Sequence, residues 1–447
     1  MSEFRTISRH AGTVLAGQLA TMAYGVTDTI VAGRYAEASL AALSVGSAIY
    51  MSVYVALMGV LQALLPVWSE LRGAGRPLRL GHSFRQALYL WAALVALGMA
   101  ILLNPGVLLD WAEVPPTLRA EVLDYLGVLA LALPMALMFR LYSTLNQSLG
   151  KPQLVTWLQL GSLGLKVPLS VWFAFGGAGV PALGAVGCAW ATLLVHGSML
   201  ALALWLLRTR ALYRPLRLWR RPEVPHGPTL AAFARLGVPS GLTILVEVTS
   251  FTLMALFVAR LGTTAAAAHQ IAANLAAVLY MVPLAIGIAT SARTSYWLGA
   301  GQPQRARHAV GLGFMLVLGA AVLLAGTLAL LRAPLARLYA SSPEVVAMAL
   351  PLLLWTAVFH LFDGLQALGV FVLRCWRITL APFAIYGVLL WGLGLYGGYR
   401  LAYEGLGPWL ALQTPAAFWM AGSLALALAG LVFWLMIWQV LRRAQRP

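Results

Sequence analysis

Apolar runs of about 20 residues or more recur along this 447-residue chain from end to end, and they narrow its folding options more than anything else in the sequence. At a rise of about 1.5 Å per residue, each is long enough to cross roughly 30 Å of hydrocarbon as a helix. A barrel would need short alternating strands, which the sequence lacks. With 61% hydrophobic and 10% charged residues, the composition also falls outside the range of soluble globular domains. The chain is therefore read as an all-α integral membrane protein. About twelve spans are expected, at roughly 11–33, 43–67, 87–109, 123–145, 154–176, 185–207, 236–260, 266–291, 309–331, 347–372, 379–400 and 416–441.

The formal net charge of +17 would suit a nucleic-acid partner if the basic residues clustered on one soluble domain, but they fall between the apolar runs. No nucleic-acid partner is implied; membrane lipids are. Counted in alternate connections, 22 Lys and Arg lie on one side, Arg374 and Arg377 among them, and 6 on the other, with Arg140 and Lys166 inside spans. By the positive-inside rule both termini are cytoplasmic. Arg5, Arg9 and His10 give the amino terminus the look of a signal peptide, yet the apolar run that follows is span-length and is read as a retained helix. Cys188 and Cys375, far apart in apolar surroundings, read as packing residues.

The longest polar connection, RTRALYRPLRLWRRPEVPHGP, separates the sixth span from the seventh. It divides the chain into a six-helix lobe at 1–207, a cytoplasmic connection at 208–235 and a second six-helix lobe at 236–447. An internal repeat supports the cut: GAGRPLRLGH, 73–82, recurs as GAGQPQRARH, 299–308, each after the second span of its half. An even number of spans per half makes the repeats parallel, and transporters bind substrate in the cavity between such repeats.

Of the thirteen acidic residues, ten fall in tails, loops or span ends, Glu113 among them, while Asp28, Glu247 and Asp363 lie inside spans. A charge at the bilayer centre costs about 2.5 to 3.5 kcal/mol even on the lenient insertion scale, so such a group normally faces a cavity or a partner. Helical spacing puts Thr21, Tyr24 and Asp28 on one face, and Thr243, Glu247, Ser250 and Phe251 on a second. Asp363 and Gln366 share a third, with His360 one turn earlier. These polar and aromatic stripes suggest cavity exposure, where a carboxyl group can exchange protons or hold a cation and aromatic faces suit lipophilic organic cations. The fifth span carries Gln159, Ser162, Lys166 and Ser170 on one stripe. Three readings of Lys166 stay open: counter-ion for Asp28, snorkelling side chain, or part of a substrate site. Arg140, near a span end, is expected to snorkel. His196, His269 and His360 are scattered and no HExxH spacing occurs, so neither a catalytic metal nor a cofactor is expected. His269 reads as a packed, hydrogen-bonded histidine, and Gln270 beside it as a candidate cavity donor.

Several segments together resemble the multidrug and toxic compound extrusion (MATE) family, NorM-type branch. They are GQLATMAYGVTDTIVAG with LAALSVGSAIY, LNQSLGKPQ with GVPALGAVGCAWAT, and GVPSGLTILVEVTSF with AAHQIAANLAAVLYMVP. The resemblance implies two six-helix lobes in a V shape, rocker-type alternating access, and antiport of organic cations against sodium ions or protons. It implies a location in the bacterial inner membrane, and a monomer is expected. Asp28, Glu247 and Asp363 match the family's acids of the first, seventh and tenth helices, with sodium as a possible occupant at Glu247 and Asp363. Ser47, Phe251, Gln270 and Tyr280 match cavity-facing positions. Lys166 departs from the family, which more often has asparagine there, and His360 stands where a neutral polar residue is more usual; both put simple sodium coupling in question.

The resulting expectation is a secondary active multidrug exporter in which driving ion and cationic drug compete for the same carboxylates. Two rivals are a lipid-linked precursor flippase of the same superfamily, which would want several cationic side chains for pyrophosphate, and a membrane-embedded enzyme, for which no partnered nucleophile or metal set is found. A channel is not excluded by composition, although the parallel repeat favours a transporter.

Overall fold

The structure, a computed structural model, describes residues 2–111, 114–177, 179–220, 223–405 and 410–443. Glu113, Ala178, Arg221 and Arg446 lie outside the described residues. Among the described residues twelve long helices follow one another: α1 (Glu3–Tyr35), α2 (Glu37–Gln62, continued by Leu65–Gly73), α3 (Pro77–Leu103), α4 (Pro116–Ser148), α5 (Gln153–Phe175), α6 (Gly184–Thr209), α7 (Gly227–Ala259), α8 (Thr263–Gly299), α9 (Pro303–Tyr339), α10 (Pro343–Cys375), α11 (Leu380–Tyr403) and α12 (Ala416–Arg443). Each contains or overlaps one expected span, and many extend past the apolar run into polar flanking turns. Hydrocarbon offers backbone N–H and C=O groups no partner, and the helical ladder supplies one internally. Eleven of these helices are long and apolar enough to cross a membrane; α1 has the length, at 33 residues, but Gln18, Thr21, Thr27, Asp28 and Thr29 dilute its apolar character. The middle of α11, Gly387–Tyr396, is π-helical.

The sequence repeat is also a structural one. After Gly73 and after Gly299 the helix closes in the same way: Gly75 and Gly301 have φ of +66° and +68°, and Arg76 N–H and Gln302 N–H reach back to Leu71 C=O and Trp297 C=O at 3.0 and 2.9 Å. A left-handed residue costs a glycine nothing sterically, and the turn satisfies carbonyls that a helix end leaves orphaned. Pro77 and Pro303 then start the next helix, where their missing N–H is no loss.

Contacts divide the chain into two compact units, Ala16–Gly241 in one and Met1–Leu15 with Leu242–Pro447 in the other. The first has an apolar core that includes Leu61, Leu64, Trp68, Leu129 and Leu133; the second has its own, with Ile7, Leu353, Phe418, Trp419 and Phe433. Two residues fix the start of α1 in the second unit. Ile7 is fully buried there, and the Glu3 carboxylate accepts two bonds from the Arg293 guanidinium, at 2.5 and 2.7 Å, and one from Trp297 Nε1 at 3.2 Å.

Two basic residues differ from the sequence expectation. Arg374, assigned to a cytoplasmic connection, is 3% exposed inside the last turn of α10, because the helix runs on to Cys375. Arg140 is buried against protein rather than snorkelling at the edge, since α4 continues to Ser148. The connection between α6 and α7 is tied to α3. Glu223 pairs with His82 and Arg85, its carbonyl accepts from the Tyr89 hydroxyl at 2.7 Å, and Val224 C=O accepts from Gln86 Nε2 at 3.0 Å.

Candidate functional site

In the unit Ala16–Gly241 the polar stripes of α1 and α5 meet each other. Gln159 Nε2 donates to Thr21 Oγ1 at 3.0 Å, the Tyr24 hydroxyl donates to Gln159 C=O at 3.0 Å and also meets the Ser162 hydroxyl, and Ser170 Oγ donates to Asp28 Oδ1 at 3.0 Å. At the centre Lys166 Nζ lies 2.7 Å from Asp28 Oδ1. The same ammonium donates to Cys188 C=O at 3.1 Å and Thr192 Oγ1 at 2.7 Å, which occupies all three of its hydrogens. Lys166 is 0% and Asp28 8% exposed. Of the three readings of Lys166, the geometry is that of the counter-ion. Gly187 makes it possible: a Cβ there would lie 2.5 Å from the Phe173 backbone, so only glycine lets α6 come close enough to α5 to bring Cys188 and Thr192 to the lysine. The stripe read as facing a cavity is therefore a helix–helix seam.

The other unit is built differently. Glu247 on α7 is partly accessible, with Tyr280 of α8 as its hydrogen-bonding neighbour. Asp363 on α10 is 6% exposed and accepts from Gln366 Nε2 at 2.9 Å; the Tyr386 hydroxyl of α11 in turn donates to Gln366 Oε1. Among the described residues neither Glu247 nor Asp363 has a Lys or Arg nitrogen within 4.0 Å. Asp363 and Arg374 both exert their charge on Glu247, and the guanidinium does so on Tyr280 and Tyr386 as well. Among the described residues Arg374 Nε and Nη1 have no hydrogen-bond partner.

One helical turn from the acids stands a group of rings. Phe251 follows Glu247 by four residues, and Phe359 precedes Asp363 by four. Phe251, Phe359 and Trp419 pack edge to face with centroids 5.7, 6.2 and 5.1 Å apart, and Trp419 Nε1 donates to His269 Nδ1 at 3.2 Å. His269 is thus packed and hydrogen-bonded. His360 is 1% exposed, and among the described residues both its ring nitrogens lack a hydrogen-bond partner. Ser47, half-buried on α2, donates to Ser44 C=O at 3.2 Å, and Gln270 is exposed on α8 with its amide on Asn274 Oδ1 at 3.2 Å. Neither belongs to the acid cluster. The structure adds Tyr386 and Arg374 to it. Tyr386 gave no sequence signal, lying in an apolar run, whereas Arg374 was visible but placed by charge counting in a loop.

An all-helical membrane protein of two units, with in-span carboxylates in each, is the architecture of a secondary transporter. The MatE family profile matches residues 14–172 and 239–399, and the chain belongs to the MATE family. It is a transporter rather than an enzyme. A probable multidrug resistance protein NorM from Aromatoleum aromaticum is 37% identical, with 98% of this chain and 94% of that protein covered. The multidrug resistance protein MdtK of Pectobacterium atrosepticum is 34% identical, over 97% of this chain and 94% of that one. The crystal structure of the eukaryotic MATE transporter AtDTX14 superposes with a TM-score of 0.87 at 18% identity, covering 99% of this chain and 98% of that one, which shows the shared fold.

Proposed function

We propose that the chain exports organic cations by antiport against protons or sodium ions, across the bacterial inner membrane and with both termini in the cytoplasm. The relatives named as multidrug resistance proteins support export of drug-like compounds, and the 22-to-6 division of basic residues supports the orientation. Those names also disfavour a lipid-precursor flippase.

The observation that carries the reading is the pair Glu247 and Asp363: two in-span carboxylates with neutral hydrogen-bonding neighbours and, among the described residues, no Lys or Arg nitrogen at contact distance, beside a cluster of rings. An acid so placed takes a proton, a sodium ion or an organic cation, and the three compete. Each ligand shifts the inward and outward states only by its differential affinity for them, so competition for one site couples the uphill flux of drug to the downhill flux of ion. Asp28 enters through its pairing with Lys166. The deciding measurement is efflux of a fluorescent organic cation from vesicles under an imposed pH gradient and, separately, an imposed sodium gradient. Coupling predicts that at least one gradient drives uphill movement; a purely downhill flux under both sinks the reading.

A further inference from the structure

The chain turns sharply where α6 leaves the membrane. A 3-10 turn, Ala211–Leu216, follows Thr209 closely, and Arg217, at a left-handed φ of +47°, folds the backbone back. Arg85 Nη1 holds that fold by donating to Arg217 C=O at 2.8 Å, Tyr213 is anchored by its hydroxyl on Asn146 Oδ1 at 2.7 Å, and Trp219 Nε1 donates to Leu207 C=O at 3.3 Å. The turn borders an open cleft of about 300 Å³ whose lining includes Arg208, Arg214, Arg217 and Arg220 with Tyr213 and Trp219.

Among the described residues no acidic residue lines the cleft, and no carboxylate pairs with any of the four guanidinium groups. The nearby Glu223 is already taken by Arg85 and His82. Arg208 rests over the Trp219 ring at 5.7 Å, so the indole holds it in place without neutralising it. Four like charges around one cleft repel one another unless an anion sits among them, and a planar guanidinium fork matches phosphate oxygens in pairs. The site therefore fits a phosphate-type group.

Its place on the helix selects the source of that phosphate. Leu202, Trp205 and Arg208 follow at three-residue steps along α6, and so share one ridge; Leu202 is 49% and Trp205 60% exposed. The ridge runs from exposed apolar surface, through an indole in the last turns of α6, into the arginine cleft, in the order in which a phospholipid runs from acyl chain to headgroup. A free anion would use the arginines and leave the ridge idle. We propose that this cleft binds the headgroup phosphate of an anionic phospholipid, with its acyl chain lying along Leu202 and Trp205.

The test is thermal unfolding of the detergent-purified full chain, titrated with phosphatidylglycerol, phosphatidylcholine or inorganic phosphate. Phosphatidylglycerol is expected to raise the melting temperature saturably, with phosphatidylcholine and inorganic phosphate much weaker. At about 1 kcal/mol per arginine, Arg214→Gln with Arg220→Gln should weaken the apparent phosphatidylglycerol affinity about 30-fold. Arg214→Lys with Arg220→Lys keeps the charge but not the fork, is expected to respond between wild type and the glutamine variant, and guards against a glutamine variant that fails to fold. An equal response to inorganic phosphate makes the cleft a simple anion site and overturns the proposal, as does a wild-type protein indifferent to headgroup charge or an unaltered response in the glutamine variant.

Discussion

Asp28 and Asp363 are both buried carboxylates on spanning helices, yet the first is held by an ammonium 2.7 Å away and the second by a neutral amide at 2.9 Å. The sequence offers the Lys166 pairing only as one of three open readings and does not choose among them. The difference comes from what lies beside each acid: Lys166 of the neighbouring helix α5 in one unit, and Gln366, one turn on along Asp363's own helix α10, in the other. A carboxylate with a resident counter-ion has little to gain from a visiting cation, whereas one satisfied only by neutral donors retains its affinity for charge. The comparison thus separates a pair that fixes structure from an acid cluster suited to exchange.

The largest effect that tests this contrast is expected from Glu247→Gln and Asp363→Asn. Each should reduce gradient-driven efflux by about a hundredfold, at the upper end of typical coupling energies, without loss of protein from the membrane. Full efflux in both variants would erase the distinction between the two units.

Next comes the pair itself. Breaking a buried ion pair by removing one partner typically costs about 3 to 5 kcal/mol, while replacing both partners with neutral groups costs much less. Lys166→Met should therefore lower thermal stability sharply, and Asp28→Asn combined with Lys166→Met should recover most of the loss. Additive losses in the double variant would show that the two residues act separately. A smaller change is expected at Arg374, whose charge opposes cation binding near Glu247. Arg374→Gln should tighten apparent affinity for the driving cation, by about tenfold as a typical coupling, read from the ion dependence of efflux; weaker binding would mean that the guanidinium helps to organise the acids.

The smallest effect sets the scale for an ordinary surface pair. The hydrogen bond from Arg85, chiefly, and then that from His82 hold the Glu223 carboxyl below the usual carboxylate range against an opposing desolvation that ranks between them. With the folded value lowered, the pair's stabilisation is present above the usual carboxylate pKa and is lost as pH falls through the folded value. Because Glu223 is 33% exposed, Glu223→Gln should cost no more than about 1 kcal/mol near neutral pH, visible as faster proteolysis of the connection. A loss as large as that of Lys166→Met would mean that the connection, too, depends on a critical ion pair.

Much of the fold was legible because the constraint is crude: hydrocarbon demands long apolar helices, and GAGRPLRLGH and GAGQPQRARH mark the same turn through the same glycine and proline. The three acids were legible for the same reason, since each is costly where it stands. What one sequence could not supply was pairing between helices. Thr21, Tyr24 and Asp28 on one stripe and Gln159, Ser162 and Lys166 on another were both evident, but a polar stripe that faces water and one that faces another polar stripe look alike until the helices are placed. Arg374 was misplaced for a related reason: a charge near a helix end counts as a loop residue until the helix is seen to continue.

The Lys166–Asp28 pair also has an electrical consequence. Its formal charges cancel, whether the proton rests on nitrogen or oxygen, so the membrane voltage does almost no work on it. An unbalanced charge moved across the full field gains or loses about 2.3 kcal/mol per 100 mV. Voltage is expected to act on in-span charges that do not cancel, such as Glu247, Asp363 and Arg374, and an electrode should be nearly blind to the seam between α1 and α5.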